Sequence, residues 1–221
     1  MTNSKTSIAL ITGASSGIGK AIYEGLHDFF DGQIIGLSRR GPDICMDVRK
    51  IISDGVPILH ADAQISLLVN NAGIMPMESF DNLFDTKLNR KIFDVNFWGA
   101  YNLIGNLQPL FAEECCIINI ASISGIIHDA DIPIYSASKA AMISMTKSLA
   151  KRFAPSVRVN CISPGFYHSN LAPGDTPQEL IDAVPLKYEE KPENLVSIVK
   201  MIYQTKYMTG ANIVIDGGAS C

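Results

Sequence analysis

The chain has 221 residues and a mass of 24.0 kDa, a size at which one domain can bury a substantial hydrophobic core. Hydrophobic residues make up 47% of it, and the formal net charge of −4 argues against a nucleic-acid-binding surface. No segment approaches the roughly 18 consecutive apolar residues that a membrane span needs. Five cysteines without a C-x-x-C pair, and a first segment without the apolar core of a signal peptide, predict a cytoplasmic protein. The chain length predicts one domain over residues 1–221.

Short apolar runs alternate with helical patterns along the whole chain. The apolar runs lack a clean alternation of polar and apolar residues, as expected for strands that are covered on both faces. The order of elements predicts right-handed crossovers and a doubly wound, parallel α/β sheet of about seven strands. Strands are predicted at 7–12, 33–38, 66–70, 116–121, 157–163 and 211–216, with helices at 17–30, within 81–112, at 134–153 and at 192–203.

The segment 44–48 has the composition of another strand, but its spacing is unusual. Only residues 39–43 separate it from the strand that ends at Ser38. A parallel crossover normally needs a dozen or more residues. Spacing alone therefore predicts an antiparallel hairpin at this point.

A glycine-rich segment at 12–19, T-G-A-S-S-G-I-G, lies between the first strand and the first helix. Its glycines let the backbone approach a pyrophosphate closely, and the helix N-terminus offers free N–H groups and a favourable dipole. The spacing is G-x-x-x-G-x-G rather than the commoner G-x-G-x-x-G. The alternative is a turn that only permits tight packing, and the flanking strand and helix disfavour it.

Further motifs follow in order: N-N-A-G at 70–73, V-N at 95–96, N-I-A-S at 119–122, Y-S-A-S-K at 135–139, P-G at 164–165, T-G at 209–210 and D-G-G at 216–218. Together they resemble the short, single-domain branch of the short-chain dehydrogenase/reductase family over essentially the whole chain. Each motif is weak alone, whereas their common order is not accidental. The resemblance implies a Rossmann-like fold and hydride transfer that interconverts a ketone or aldehyde and an alcohol.

Two features depart from the family pattern. The helix that the family usually places after its second strand is missing, so the resemblance implies a parallel third strand with a loop at 39–43 in place of that helix. The segment from 166 to 191 is compact for the region that covers the substrate. The shape of the pocket therefore stays open at this stage.

Tyr135 and Lys139 are four residues apart in a helical pattern, so their side chains share one helical face. An alkoxide formed by hydride transfer needs a proton, which a tyrosine with a pKa of about 10 supplies slowly near neutrality. A neighbouring ammonium favours the phenolate and moves this pKa toward working pH. The resemblance adds that Lys139 binds the nicotinamide ribose. Taken alone, Tyr-x-x-x-Lys is more often an exposed helix pair.

Ser122 follows a predicted strand, at the edge where open α/β sheets place their sites. Its hydroxyl would hydrogen-bond the substrate carbonyl and the developing alkoxide; the alternative is a loop serine that caps Gly125 or its neighbours. Asn96 is a poor choice for the interior of the predicted long helix because its amide competes for backbone hydrogen bonds. The resemblance implies that Asn96 holds a water that links the lysine to solvent.

The residues at the end of the second predicted strand bear on the choice of cofactor. An enzyme that prefers NAD would usually carry a carboxylate here, whereas Ser38 is followed by Arg39 and Arg40, which suit the 2′-phosphate of NADP(H). The alternative is two solvated loop arginines. Together with contacts implied by the resemblance, the predicted cofactor-binding residues are Gly13, Ser15, Ser16, Gly17, Ile18, Gly19, Ser38, Arg39, Arg40, Asp47, Val48, Asn71, Ala72, Gly73, Tyr135, Lys139, Pro164, Gly165, Phe166 and Ser169.

The remaining polar residues give weaker signals. His27 and His60 lack clustered partners, so no metal site is expected. His128, with Asp129 and Asp131, lies between Ser122 and Tyr135 and is a weaker candidate for contact with a polar substrate. Tyr167 and His168 are predicted to be solvated loop residues, with a role in substrate specificity as the alternative. Cys115 and Cys116 are predicted to be small buried side chains.

The leading hypothesis is an NADP(H)-dependent carbonyl reductase or alcohol dehydrogenase that acts on a small molecule, with no nucleic-acid or membrane partner. The resemblance implies a homodimer or homotetramer paired through the helices within 81–112 and at 134–153. One alternative is a catalytically silent, dinucleotide-binding regulatory protein, which would have no need to retain the whole set of Asn96, Ser122, Tyr135 and Lys139. A sugar-nucleotide epimerase or dehydratase of the extended branch would need a larger C-terminal substrate domain. The identity of the substrate stays open.

Overall fold

The structure is a computed structural model that describes residues 6–51, 63–76, 82–127, 129–169, 171 and 176–221. Seven strands within these residues form one sheet, and every pairing between neighbours is parallel. The strand order is β3-β2-β1-β4-β5-β6-β7. This arrangement confirms the predicted doubly wound α/β fold. The strands are β1 (Thr6–Thr12), β2 (Gln33–Ser38), β3 (Ile44–Cys45), β4 (Ala63–Asn70), β5 (Phe111–Ile120), β6 (Val157–Pro164) and β7 (Asn212–Ile215).

Helices cover both faces of the sheet, which explains why the strands lack a polar face. Successive residues of a strand point to opposite faces, so Leu10 joins one hydrophobic cluster and Ile11 joins the other. All residues of β6 are buried. Cys115 and Cys116 of β5 are fully buried within these clusters, as predicted.

The helices that pack on the sheet begin close to the predicted positions, but the first helix ends earlier than predicted. The first helix ends at Gly25, because glycine disfavours helix continuation and the N–H groups of Phe29 and Phe30 both bond to the Leu26 carbonyl in a tight turn. Of the region within which helix was predicted, 81–112, the last two residues belong to strand β5. The helices are α1 (Gly17–Gly25), α2 (Thr86–Phe93), α3 (Gly99–Leu107), α4 (Ser124–Ile127), α5 (Pro133–Phe153), α6 (Gln178–Ala183) and α7 (Leu195–Gln204), of which α4 and α6 were not predicted.

Strand β3 pairs in parallel with β2, so the hairpin expected from spacing is wrong and the arrangement implied by the resemblance is confirmed. The pairs are Leu37 with Ile44 and Ser38 with Cys45. Because only the last two residues of β2 are paired, the chain has to return by a short distance, and a five-residue loop at 39–43 is enough. The predicted strand at 44–48 ends at Cys45, and Val48–Lys50 forms a short 3-10 helix.

The parallel arrangement brings the carboxyl ends of the strands to one edge of the sheet, which is the edge where α/β proteins place ligands. The loops that follow β1, β2, β4, β5 and β6 therefore meet there. Within the part of the chain that the structure describes, no helix is long and apolar enough to cross a membrane.

Candidate active site

The loop that follows β1 is bound to the loop that follows β4 through Thr12. The Thr12 hydroxyl accepts hydrogen bonds from the backbone N–H of Asn71 at 2.9 Å and of Ala72 at 3.0 Å, and it donates to the Val69 carbonyl at 3.4 Å. The Asn71 side chain returns a bond of 2.9 Å to the Thr12 carbonyl. These bonds hold the two loops in one fixed arrangement at the sheet edge.

The glycines of the first loop are required by its shape. Gly13 has a φ of +71° and Gly17 a φ of +51°, backbone conformations that other residues adopt only with strain. A Cβ on Gly19 would overlap the Gly13 carbonyl and Asn71 Nδ2. A Cβ on Gly17 would lie 3.0 Å from the Cβ of Ser169, so the loop after β6 touches the start of helix α1.

The N-terminus of α1 has the properties of a phosphate site. The N-cap residue Ser16 forms no side-chain capping bond, so the first N–H groups of the helix are free to bind an anion. At the end of β2, Ser38 Oγ is buried and has no hydrogen-bond partner within the described residues. Both observations fit a dinucleotide that lies across this edge, with its diphosphate at α1 and its adenosine near Ser38.

The segment after β3 contains a pairing that the sequence analysis missed. The Asp47 carboxylate accepts the backbone N–H of Arg49 at 3.0 Å and forms an ion pair with the Arg49 guanidinium at 2.6 Å. Hydrogen bonds from Arg49 lower the pKa of Asp47, and the charge of Arg39 acts in the same direction. The spacing Asp-x-Arg at the start of a tight turn was the available signal. Arg39 and Arg40 are exposed, and Val48 is buried.

Ser122 and Tyr135 meet at the carboxyl end of β5. The Ser122 side chain acts on the side chain of Tyr135, which is only 3% exposed. Burial raises the pKa of Tyr135 to about 12, while the interaction with Ser122 acts in the opposite direction. Ser122 Oγ also accepts the backbone N–H of Ser124 at 3.1 Å at the start of α4. Ser122 therefore caps the following turn, as the alternative from sequence expected, and also interacts with Tyr135.

Lys139 lies one helical turn after Tyr135 and is almost completely buried. Its ammonium donates a hydrogen bond of 2.9 Å to the Ile120 carbonyl and lies 5.7 Å from the centre of the Tyr135 ring. Burial lowers the pKa of Lys139 to about 8, and nearby Cys161 acts in the opposite direction. Burial, rather than the lysine charge, dominates the pKa of Tyr135 in this structure.

Asn96 occupies a break in the predicted long helix. Residues Asp94–Trp98 form a π-helical turn, a feature that is frequent at functional sites. The Asn96 side chain accepts the N–H of Ile74 at 2.8 Å and donates to the Ile74 carbonyl at 3.0 Å and to Ser138 Oγ at 3.1 Å. The Asn96 amide, which is unfavourable in a helix interior, thus forms hydrogen bonds with the backbone of the loop after β4.

The loop after β6 packs against the end of β7. The Gly165 N–H bonds to the Ile215 carbonyl at 2.9 Å, and a Cβ at Gly165 would lie 2.7 Å from the Asp216 Cα. Tyr167, predicted to be solvated, is instead 7% exposed, because its backbone pairs with Glu190 and its ring joins the hydrophobic core. His168 is exposed and pairs with Glu189, as expected for a loop residue.

The other weak candidates gain no role from the structure. Asp129 and Asp131 are exposed, and Asp129 Oδ1 accepts the Asp131 N–H at 3.0 Å. His60 and His128 lie outside the described residues. Among the residues that are described, no group of three His, Cys, Asp or Glu side chains is placed to hold a metal ion.

The structure brings the four predicted catalytic side chains and the predicted cofactor-binding residues to one edge of the sheet. They end or follow β1 (Gly13, Ser15, Ser16, Gly17, Ile18, Gly19), β2 (Ser38, Arg39, Arg40), β3 (Asp47, Val48), β4 (Asn71, Ala72, Gly73), β5 (Ser122) and β6 (Pro164, Gly165, Phe166, Ser169), or lie on the helices beside these strands (Asn96, Tyr135, Lys139).

Comparison with known proteins assigns this arrangement to a family. The family model described as enoyl-(acyl carrier protein) reductase matches residues 47–220. Oxidoreductase UcpA of Salmonella typhimurium is 30% identical to the chain over 96% of the chain and 94% of its own length. The chain belongs to the short-chain dehydrogenase/reductase family.

Two further comparisons agree with this assignment. The chain is 30% identical to the uncharacterized short-chain type dehydrogenase/reductase y4vI of Sinorhizobium fredii over 96% of the chain, but it spans only 43% of that protein. The structure is also similar to that of 4-hydroxyisoleucine dehydrogenase complexed with NADH, with a TM-score of 0.78 and 27% identity over 97% of the chain and 98% of that structure.

Proposed function

We propose that this short-chain dehydrogenase/reductase is an NADP(H)-dependent oxidoreductase that interconverts a ketone or aldehyde and an alcohol. The observation that carries the proposal is the meeting of Ser122 with the buried Tyr135, whose ring centre lies 5.7 Å from the ammonium of Lys139, one helical turn away. These groups lie at the same sheet edge as the uncapped N-terminus of α1. Such an arrangement holds a carbonyl oxygen beside a proton donor, next to a dinucleotide site.

Tyr135 is the proposed acid and base of the reaction. The cofactor, when bound, supplies or accepts the hydride at the carbonyl carbon. Tyr135 donates its phenolic proton to the substrate oxygen as the alcohol forms, and it takes this proton back in the oxidative direction. Ser122 donates a hydrogen bond to the same oxygen, and this bond strengthens as negative charge develops there.

The protonation states of Tyr135 and Lys139 favour carbonyl reduction over alcohol oxidation. Tyr135, with its pKa raised to about 12, is neutral at pH 7 and is therefore ready to give a proton. An alkoxide is a far stronger base than a phenolate, so this transfer is downhill. Oxidation needs the phenolate, which burial disfavours in this structure. We therefore propose that Lys139 stabilises the phenolate as it forms and binds the nicotinamide ribose.

Asn96 is the proposed link between Lys139 and solvent. A Cβ on Gly73 would lie 3.5 Å from Asn96 Oδ1 and 3.6 Å from Lys139 Nζ, so both atoms face one position beside this glycine. A water at that position can accept from the ammonium and donate to the amide oxygen, which has a second lone pair besides the one used by the Ile74 N–H. Such a water would return the proton that Tyr135 gives away.

The preference for NADP(H) is proposed from Arg39 and Arg40. Both are exposed at the end of β2, where a 2′-phosphate can receive charge-assisted hydrogen bonds from guanidinium groups. The dehydrogenase structure cited above carries NADH, so the family as a whole does not decide between the two cofactors. The proposed preference for NADP(H) therefore rests on Arg39 and Arg40 of this chain.

The location and assembly of the protein are part of the same proposal. All five cysteines are free thiols, which supports a reducing compartment and hence the cytoplasm. Trp98 and Tyr101 are about half exposed on the segment that the family pairs between subunits, which supports a homodimer or a homotetramer.

The test is turnover of NADPH with a panel of small ketones and aldehydes, and of NADP with the corresponding alcohols. We expect NADPH oxidation with at least one carbonyl compound, and its loss in the Tyr135→Phe variant. Binding of the dinucleotide by the unmodified protein with no turnover of any panel member would favour the silent regulatory protein. A lack of both binding and turnover would contradict the proposal outright.

A further inference from the structure

The loop at residues 39–43, which replaces the helix expected between β2 and β3, is attached to the sheet by Asp43. One oxygen of the Asp43 carboxylate accepts the backbone N–H of Gly36 at 2.7 Å. The Asp43 N–H lies 3.3 Å from the Gly36 carbonyl. Because β3 pairs only with the last two residues of β2, Asp43 satisfies the backbone groups that a longer third strand would have paired.

Asp43 also interacts with the helix that begins at the phosphate loop. Burial raises the pKa of the Tyr23 hydroxyl of α1, and its interaction with the Asp43 carboxylate raises this pKa further. Asp43 thus interacts with both β2 and α1 through a single side chain.

Packing above Gly36 reinforces these bonds. A Cβ on Gly36 would lie 2.6 Å from Pro42 Cγ, 2.8 Å from the Ala14 Cβ and 3.1 Å from a ring carbon of Tyr23. The 39–43 loop, the phosphate loop and α1 therefore converge on this one glycine. The other end of the 39–43 loop is held by the Gly41 N–H, which bonds to the Ser38 carbonyl at 3.1 Å.

The 39–43 loop carries Arg39 and Arg40, so its attachment to the sheet affects how these arginines bind a ligand. The diphosphate and the adenosine 2′-phosphate belong to one molecule, so both can bind well only if the N-terminus of α1 and the two arginines are held at a fixed spacing. Preorganisation of this kind increases affinity because less conformational entropy is lost on binding.

We propose that Asp43 is a positioning residue for cofactor discrimination, because it fixes the loop that presents Arg39 and Arg40 relative to the phosphate-binding helix. This inference rests on the proposed use of NADP(H). Asp43 acts through the loop and has no direct contact with the cofactor. Its loss should therefore weaken binding of the phosphorylated dinucleotide selectively.

A purely electrostatic role of Asp43 makes the opposite prediction. A carboxylate near the arginines repels a phosphate, so removing its charge would tighten NADPH binding whichever residue replaced it. A positioning role depends on the acceptor oxygen instead. Asp43→Asn keeps an oxygen of the same reach and loses the charge, whereas Asp43→Ala loses both.

The experiment is calorimetric titration of NADPH and NADH into the unmodified protein and its variants. We expect Asp43→Ala to reduce the ratio of NADPH to NADH affinity by about fivefold or more, and Asp43→Asn to keep it within about twofold. Tyr23→Phe, which removes only the hydroxyl that interacts with Asp43, should cause a smaller loss in the same direction. Asp28→Ala removes an exposed carboxylate just beyond α1 and should leave the ratio unchanged.

The outcomes separate this inference from the proposed function. A ratio unchanged in Asp43→Ala, or raised in both Asp43 variants, overturns the positioning role and leaves the NADP(H) preference intact. Equal affinity of the unmodified protein for both dinucleotides overturns the cofactor preference and the inference together. Should Asp43→Ala fail to fold, Tyr23→Phe and Asp43→Asn decide the question, since an intact ratio in Tyr23→Phe would contradict the inference.

Discussion

The side-chain amide of Asn96 donates a hydrogen bond of 3.1 Å to Ser138 Oγ and so joins the π turn to the helix that carries Tyr135 and Lys139. Ser138 in turn donates to the Tyr135 carbonyl at 2.6 Å. Both Asn96 and Ser138 are fully buried, so water does not compete for these bonds. The proposed relay residue and the proposed acid therefore share a rigid connection through a serine that has no direct role in the chemistry.

Ser138→Ala should lower kcat by about tenfold with little change in KM. The substitution removes the bond that orients Asn96 toward α5. A tenfold lower kcat corresponds to an increase of about 1.4 kcal/mol in the activation free energy. Steady-state kinetics with the best substrate of the turnover panel would measure it. Ser148→Ala, at an exposed serine of the same helix, is the matched control and should behave like the unmodified protein. Equal kcat values for the two variants would show that the connection is structural only.

Tyr135→Phe should lower kcat by at least about a hundredfold, the usual scale of general acid–base catalysis, while the dinucleotide still binds. The reason is that phenylalanine keeps the packing of the buried ring but has no proton to give. Kinetics and calorimetric titration together would separate the two effects. Tyr101→Phe, at a half-exposed tyrosine, should leave kcat unchanged. Near-normal turnover in Tyr135→Phe would rule out the proposed mechanism.

The unmodified protein should use NADPH at least about tenfold better than NADH, measured as kcat/KM. Charge-assisted bonds of roughly 1.5–3 kcal/mol each from Arg39 and Arg40 are sufficient for this preference. Replacing both arginines with alanine should erase most of it by weakening NADPH alone. The double variant Arg90→Ala/Arg152→Ala removes the same charge at exposed positions and should retain the preference. Equal use of both cofactors by the unmodified protein would identify Arg39 and Arg40 as solvated loop residues.

The depressed pKa of Lys139 predicts how stability changes with pH. This pKa is about 8 in the folded protein and 10.5 for an unperturbed lysine. Between these values the unfolded chain binds more protons, so this lysine makes the free energy of unfolding rise with pH, by at most about 1.4 kcal/mol per pH unit. Urea unfolding of the unmodified protein and of Lys139→Met from pH 7 to pH 10 measures the contribution as a difference. That difference should be flat below pH 7.5 or so and rise toward pH 10. A constant difference would mean that Lys139 is not desolvated.

The sequence analysis predicted the sheet because its strands give local signals, and it placed the candidate site residues by local loop motifs. Buried parallel strands read as apolar runs, and the loop motifs fix the chemistry at their carboxyl ends. It missed the π turn at Asp94–Trp98 because the extra residue is set by the bonds of Asn96 to Ile74, which is distant in the chain. The burial of Tyr167 likewise depends on packing against residues far along the chain. Periodicity within one segment carries no information on such contacts.

The protein should assemble through the face of the π turn and α3. Trp98 and Tyr101 are 47% and 46% exposed, and Tyr101 stacks on Phe97 with ring centres 6.2 Å apart, so a preformed aromatic surface faces outward. Closed two-fold symmetry, as a dimer or a dihedral tetramer, would bury this surface at little entropic cost. Sedimentation should give a dimer or tetramer mass for the unmodified protein and a smaller mass for Tyr101→Glu, because burying a carboxylate in the interface is unfavourable. Tyr207→Glu, at a fully exposed tyrosine outside this surface, should keep the original mass. A concentration-independent monomer mass for the unmodified protein would contradict the prediction.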